Sequence, residues 1–141
     1  MIAEVIDRLR ADQAALGLKL IGGAADFQTA AETRPAATPA AFVYLLEEMP
    51  SDGKVAGASI QSVAQLIGVC LVVRNVADAA GAAASADMEA LRREVKQRLF
   101  GFAPAERSPL LRGPSRLLAF AEGYMWWQDT YTTSYIDKSP L

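Results

Sequence analysis

The stretch from Phe120 to Tyr135 constrains the fold of this chain more than any other. It reads Phe-Ala-Glu-Gly-Tyr-Met-Trp-Trp-Gln-Asp-Thr-Tyr-Thr-Thr-Ser-Tyr. Both tryptophans lie in it, with three of the four tyrosines and six of the eleven aromatic side chains. Trp, Tyr and Thr favour a pleated strand, and Glu122-Gly123 has the residue types of a tight hairpin turn. Strand alternation puts Met125, Trp127, Asp129, Tyr131, Thr133 and Tyr135 on one face, with Trp126, Gln128, Thr130, Thr132, Ser134 and Ile136 on the other. Each face thus carries one indole among polar groups. A strand that buries one face needs only one of them, so Trp126 requires cover. Either it lies beneath a helix of the same domain, or the strand meets another copy of the chain, where aromatic residues concentrate binding energy.

The remaining pattern supplies elements for this strand to pair with. Ile2, Val5, Ile6 and Leu9 share one stripe of an amphipathic helix expected over Met1 to Ala15, with Gly17 as its stop. Leu18 to Ile21 is a short strand closed by Gly22-Gly23, and Ala24 to Ala31 is a brief helical turn. Pro35 and Pro39 make 33–39 an extended loop. Ala41 to Glu47 is a strand, Met49 to Ser59 a turn or loop, and Ile60 to Asn75 a long strand that becomes apolar on both faces. Asp78 is placed to cap the next helix, whose firm start is expected near Ser85 because Gly81 weakens the first turn. Met88, Leu91, Val95, Leu99 and Phe102 recur at helical spacing. A loop over 103–114 with three prolines precedes a hairpin of Arg116–Ala121 and Tyr124–Ile136.

The expected fold is α+β (mixed α/β): a four- to five-stranded mixed sheet with helices packed mainly on one face. The long helix would join parallel strands by a right-handed crossover. At 141 residues the chain is expected to be a single domain over 1–141 that buries roughly two-thirds of its unfolded surface.

Chemistry is poorly represented. There is no histidine, which removes the commonest general base and zinc ligand. No phosphate-binding glycine loop and no nucleophile elbow occurs. Glu47 and Glu48 are adjacent strand residues and point to opposite faces. Arg92, Arg93, Lys96 and Arg98 alternate with Glu89 and Glu94, a solvated face rather than a phosphate site. Asp129 is expected to form a structural ion pair with Arg116 on the neighbouring strand. The one cysteine, Cys70, lies in an apolar run and packs as a small hydrophobe in a reducing compartment, pointing to the cytoplasm. A formal net charge of −2 gives no general attraction for nucleic acid. No stretch approaches the ~20 apolar residues of a membrane span. The expectation is a protein that is not an enzyme and carries no cofactor or metal.

Several segments carry a resemblance when taken in order. After the opening helix come Leu20-Ile21-Gly22-Gly23-Ala24-Ala25-Asp26-Phe27 and Pro35-Ala36-Ala37-Thr38-Pro39-Ala40-Ala41-Phe42-Val43. Val69 to Asn75 follows, ending Val-Arg-Asn, then the long helix, Leu118-Ala119-Phe120 and Trp126-Trp127-Gln128-Asp129. Together they resemble the bacteriophage tail terminator family, small tail-completion proteins of phages and prophages. The resemblance implies a mixed α/β domain that forms a hexameric ring on the head-proximal end of a finished tail tube. The ring would stop tube polymerisation and present a joining surface to head-completion proteins. Its partners would be its own copies, the tail tube protein and a head-completion or connector protein. DNA would only pass through the lumen. Its place would be the host cytoplasm during assembly and then the virion tail. Candidate interface residues are Trp126, Tyr131 and Tyr135, with Arg116 and Asp129 as orienting groups. The loop from Ser51 to Ser59, including Asp52, Gly53 and Lys54, is expected to be flexible and to order only against a neighbour or the tube. Two other readings stay open: another head–tail connector component, and a dimeric ligand-binding or regulatory domain from outside phages.

Overall fold

The computed structural model of the chain describes residues 1–55 and 58–140. Two long antiparallel strands form the spine: β4 (Ala58–Arg74) and β7 (Tyr124–Lys138). They pair without a register break from Ile60 opposite Lys138 to Arg74 opposite Tyr124. β6 (Arg116–Ala121) turns into β7 through Glu122 and Gly123, both at positive φ (53° and 79°), the left-handed pair a tight two-residue hairpin needs.

β2 (Ala40–Pro50) flanks β4 on its other side, and one bulge interrupts the pairing: Leu45 faces Ile67 but Glu47 faces Leu66. β1 (Leu20–Gly22) adds to β2 in parallel, and α3 (Ala24–Glu32) makes the crossover between them. Two strands of two residues complete the sheet, β3 (Lys54–Val55) on β4 and β5 (Leu111–Arg112) on β7. The result is a seven-stranded mixed sheet in the order β1-β2-β4-β7-β5. Its strand count exceeds the expected four to five because two-residue strands leave no periodic pattern in a sequence.

The parallel connection falls elsewhere than expected. The long helix, α4 (Ala82–Leu99), leads from β4 to β5 and β6, and β7 lies between them and β4. The second half of β4 is apolar on both faces and the strand takes its longest partner in β7, so the parallel neighbours are β1 and β2 instead.

Local chemistry explains the helix limits. The opening segment breaks at Asp12 into α1 (Ile2–Ala11) and α2 (Gln13–Leu16), and Gly17 ends it in the left-handed conformation. α3 is a nine-residue helix rather than a brief turn. Its first turn is held by Asp26, whose carboxylate accepts the Gly23 amide at 2.9 Å. Gly22 must be glycine for that approach, since a Cβ there would meet Asp26 Oδ2 at 2.5 Å. Asp78 accepts the amides of Ala82 and Ala83 at 3.0 and 3.1 Å, which lets α4 begin before Ser85 despite Gly81.

Helices cover the two faces unequally. α1, α2 and α4 pack over Val43, Ile67, Val69, Leu71 and Tyr131 through Val5, Leu9, Leu16, Met88, Leu91, Val95 and Leu99. On the opposite face α3 alone covers a smaller cluster of Phe42, Tyr44, Cys70 and Val72. Beyond Tyr44, β2 leaves this cover, and Leu45 to Pro50 are all exposed.

Candidate assembly surface

Three polar residues of β7, Asp129, Thr130 and Thr133, are buried. Asp129, 2% exposed, accepts hydrogen bonds from Arg92 Nε at 3.0 Å, Arg92 Nη2 at 2.8 Å, Ser115 Oγ at 2.6 Å and Trp127 Nε1 at 3.1 Å. Arg112 stands 3.5 Å away. Burial alone would push the Asp129 carboxyl upward, yet the bonds from Arg92, Ser115 and Trp127 and the guanidinium charge hold it below the usual carboxylate range. Arg92 also stacks over the Trp127 indole, 4.5 Å from its centroid. Helix α4, the β5–β6 connection and β7 are thereby tied at one carboxylate.

Arg116 is not part of this network, contrary to the sequence expectation. An unbroken hairpin would pair Arg116 with Asp129, but a bulge at Leu118 moves it opposite Gln128, on the other face. Tyr131 is fully buried beside the network and offers no surface. Its hydroxyl has no hydrogen-bond partner among the described residues, and burial together with the Asp129 charge pushes it up to about 12.

Trp126 lies against α3: its ring meets Phe27 edge-on at 6.4 Å between centroids. The cover is partial. A groove of about 250 Å³ between α3 and β6, lined by Phe27, Leu118 and Ala119 among others, leaves the indole half-buried. Beneath it Tyr44 donates to Gln128 Oε1 at 2.7 Å, and burial with the nearby Cys70 thiol raises the Tyr44 phenol. Burial likewise pushes Cys70 up to about 12, so the thiol stays protonated and inert. Tyr135 is half-buried beneath the Arg107 guanidinium, 4.3 Å from its ring. Asp52 is exposed, and Gly53 packs so closely on Gln61 that a Cβ would meet its Cγ at 2.4 Å. The Lys54 side chain and residues 56 and 57 of the expected loop lie outside the described residues. Within that loop β3 pairs with the start of β4, so Lys54, Val55, Ala58 and Ser59 form a ladder rather than an irregular segment.

Two surface features carried no clear mark in the sequence. One is the outer edge of β2. β1 pairs only with Ala40 to Phe42, so the edge beyond has no strand beside it among the described residues. That edge bears Leu45, Leu46 and Met49 at 42–43% exposure. The other is a cleft of about 210 Å³ between α4 and β5, lined by Glu89, Arg92, Arg93, Lys96 and Arg112. The basic stretch of α4 therefore splits. Arg92 serves Asp129 and Arg98 pairs with Asp12 and Glu94, while Arg93 and Lys96 form no ion pair among the described residues. Among those residues, no group of three or more His, Cys, Asp or Glu could hold a metal ion, and no helix is long and apolar enough to cross a membrane.

Fold and surface define the class: an α+β domain with a buried polar network at Asp129 and an exposed apolar edge on β2. The profile of the phage tail terminator protein family matches residues 2–139, and the chain belongs to that family. The fold is similar to that of a chain in the virion of a native gene transfer agent particle. That match has a TM-score of 0.59 and 15% identity, over 94% of this chain and 92% of the other. No curated protein sequence matches the chain.

Proposed function

We propose that this protein acts as one domain, without catalysis, cofactor or metal. In this reading it closes into a ring, with six copies as the working number, on the head-proximal end of a phage or prophage tail tube. The ring stops tube polymerisation and gives head-completion proteins a surface to join. Family membership over residues 2–139 carries this reading. The free edge of β2 and the open groove at Trp126 support it, because both are surfaces that a monomer leaves uncovered. The acidic balance suits a channel through which DNA passes, since basic walls would retain it. Assembly would occur in the host cytoplasm, with the finished ring in the virion tail.

Electron microscopy of lysates lacking the protein tests the role. Loss of a terminator gives tails of irregular and excess length. Tails of normal length that fail to join heads would make it a connector component instead.

A further inference from the structure

Within the ring reading, on which this step rests, we infer how neighbouring copies recognise each other: the acidic, apolar edge of β2 in one copy docks on the cationic α4–β5 cleft of the next. The two surfaces match in chemistry. The β2 edge carries Glu47 beside exposed Leu45, Leu46 and Met49, and Asp52 follows just beyond. The cleft offers Arg93 and Lys96 without ion-pair partners among the described residues, and Arg92 and Arg112 add to its positive charge against the single carboxylate of Glu89. The two surfaces therefore carry opposite net charge: carboxylates beside exposed apolar side chains on β2, and four cations against one carboxylate in the cleft.

Placement decides the kind of contact. In the order β1-β2-β4-β7-β5 these surfaces sit toward opposite edges of the sheet, so one copy cannot satisfy its own pair. A two-fold dimer through either surface would set like charges together. Head-to-tail docking satisfies both surfaces in every copy, and such contacts close into a ring when the rotation per subunit permits. The cations that hold Asp129 stay in place, since Arg93 and Lys96 supply the charge that the interior does not use.

Charge reversal in the full-length protein tests the pairing, with sedimentation velocity over a concentration series as the readout. Arg93→Glu/Lys96→Glu is expected to weaken association at least about tenfold, as is Glu47→Lys/Asp52→Lys. All four changes in one chain should restore association to within about threefold of the original protein. Circular dichroism checks each variant's fold, and none of these side chains is buried. If the original protein associates and either reversed variant associates equally well, the pairing is wrong while the ring reading stands. Additive loss in the fourfold variant would also overturn it. An original protein that remains solitary at every concentration and on isolated tail tubes removes the ring reading itself. Retention of duplex DNA at physiological salt, lost in Arg93→Glu/Lys96→Glu, would assign the cleft to phosphates and overturn the proposal.

Discussion

Arg92 on α4 grips Asp129 on β7 through both its Nε and Nη2, at 3.0 and 2.8 Å, while its guanidinium carbon sits over the Trp127 ring, 4.5 Å from the centroid. The carboxylate is buried, so its charge depends on that partner. Arg92→Met keeps much of the stem but strands the charge with only Arg112, Ser115 and Trp127. A loss of about 3 kcal/mol is expected, or roughly 10 °C in melting temperature for a chain of this size. Adding Asp129→Asn should recover part of the loss, because the stranded charge is its main source. A melting temperature within two or three degrees of the original would mean that the remaining donors suffice.

Acid should reveal the same carboxylate. Asp129 titrates below its ordinary range in the folded state, so it contributes stability that is fully present above the unfolded value of about 3.9. That contribution is lost as pH falls through the lower native value. The stability difference between the original protein and Asp129→Asn should hold constant from pH 7 to 5 and shrink below about pH 4. Urea midpoints at four pH values measure it. A gap that stays constant at pH 3 would show that the charge contributes nothing.

How much of this was legible in the sequence varies with the physics. The β6–β7 hairpin and the long β4 were readable because alternation and turn chemistry are local. The partner of Asp129 was not. A single bulge at Leu118 shifts the register by one and turns Arg116 to the far face, and nothing local to Arg116 or Asp129 announces it. Arg92 takes its place from a helix 37 positions upstream, a contact that only tertiary packing creates. The crossover through α3 was missed because its apolar stripe is weak, and its stability comes from Asp26 and from Phe27 packing on Phe42 and Tyr44. The open edge of β2 depends on β1 being only three residues long.

Tyr131 reverses the usual expectation for a buried polar group. Its hydroxyl is buried and unpartnered among the described residues, so removing it removes a desolvation cost rather than a bond. Tyr131→Phe should leave stability unchanged or raise it by up to about 1 kcal/mol. Denaturant unfolding measures the difference. A loss above about 1 kcal/mol would mean that a buried water serves this hydroxyl.

Gly68 should be intolerant of even one methyl group. A Cβ there would stand 2.3 Å from Tyr44 Cε1. The tyrosine cannot swing aside easily, because Gln128 holds its hydroxyl and Phe27 packs on its ring. Gly68→Ala is expected to cost about 1–3 kcal/mol, measured as a fall in the urea midpoint. An unchanged midpoint would show that the α3 face repacks freely.

The two tryptophans should separate folding from assembly. Trp127 lies under Arg92 and bonds Asp129, so Trp127→Ala attacks the network that joins α4 to β7 and should lower the melting temperature clearly. Trp126 borders an open groove and is only half-buried. Trp126→Ala should therefore cost less than the 3–5 kcal/mol of a fully buried indole, about 1–2 kcal/mol, and leave the monomer folded. If the groove belongs to a subunit contact, association falls far more than stability does, because aromatic anchors carry a disproportionate share of interface energy. Sedimentation and thermal melts on both variants give the comparison. An unfolded Trp126→Ala chain would make Trp126 a core residue, and a folded one with unchanged association would move the contact elsewhere on the surface.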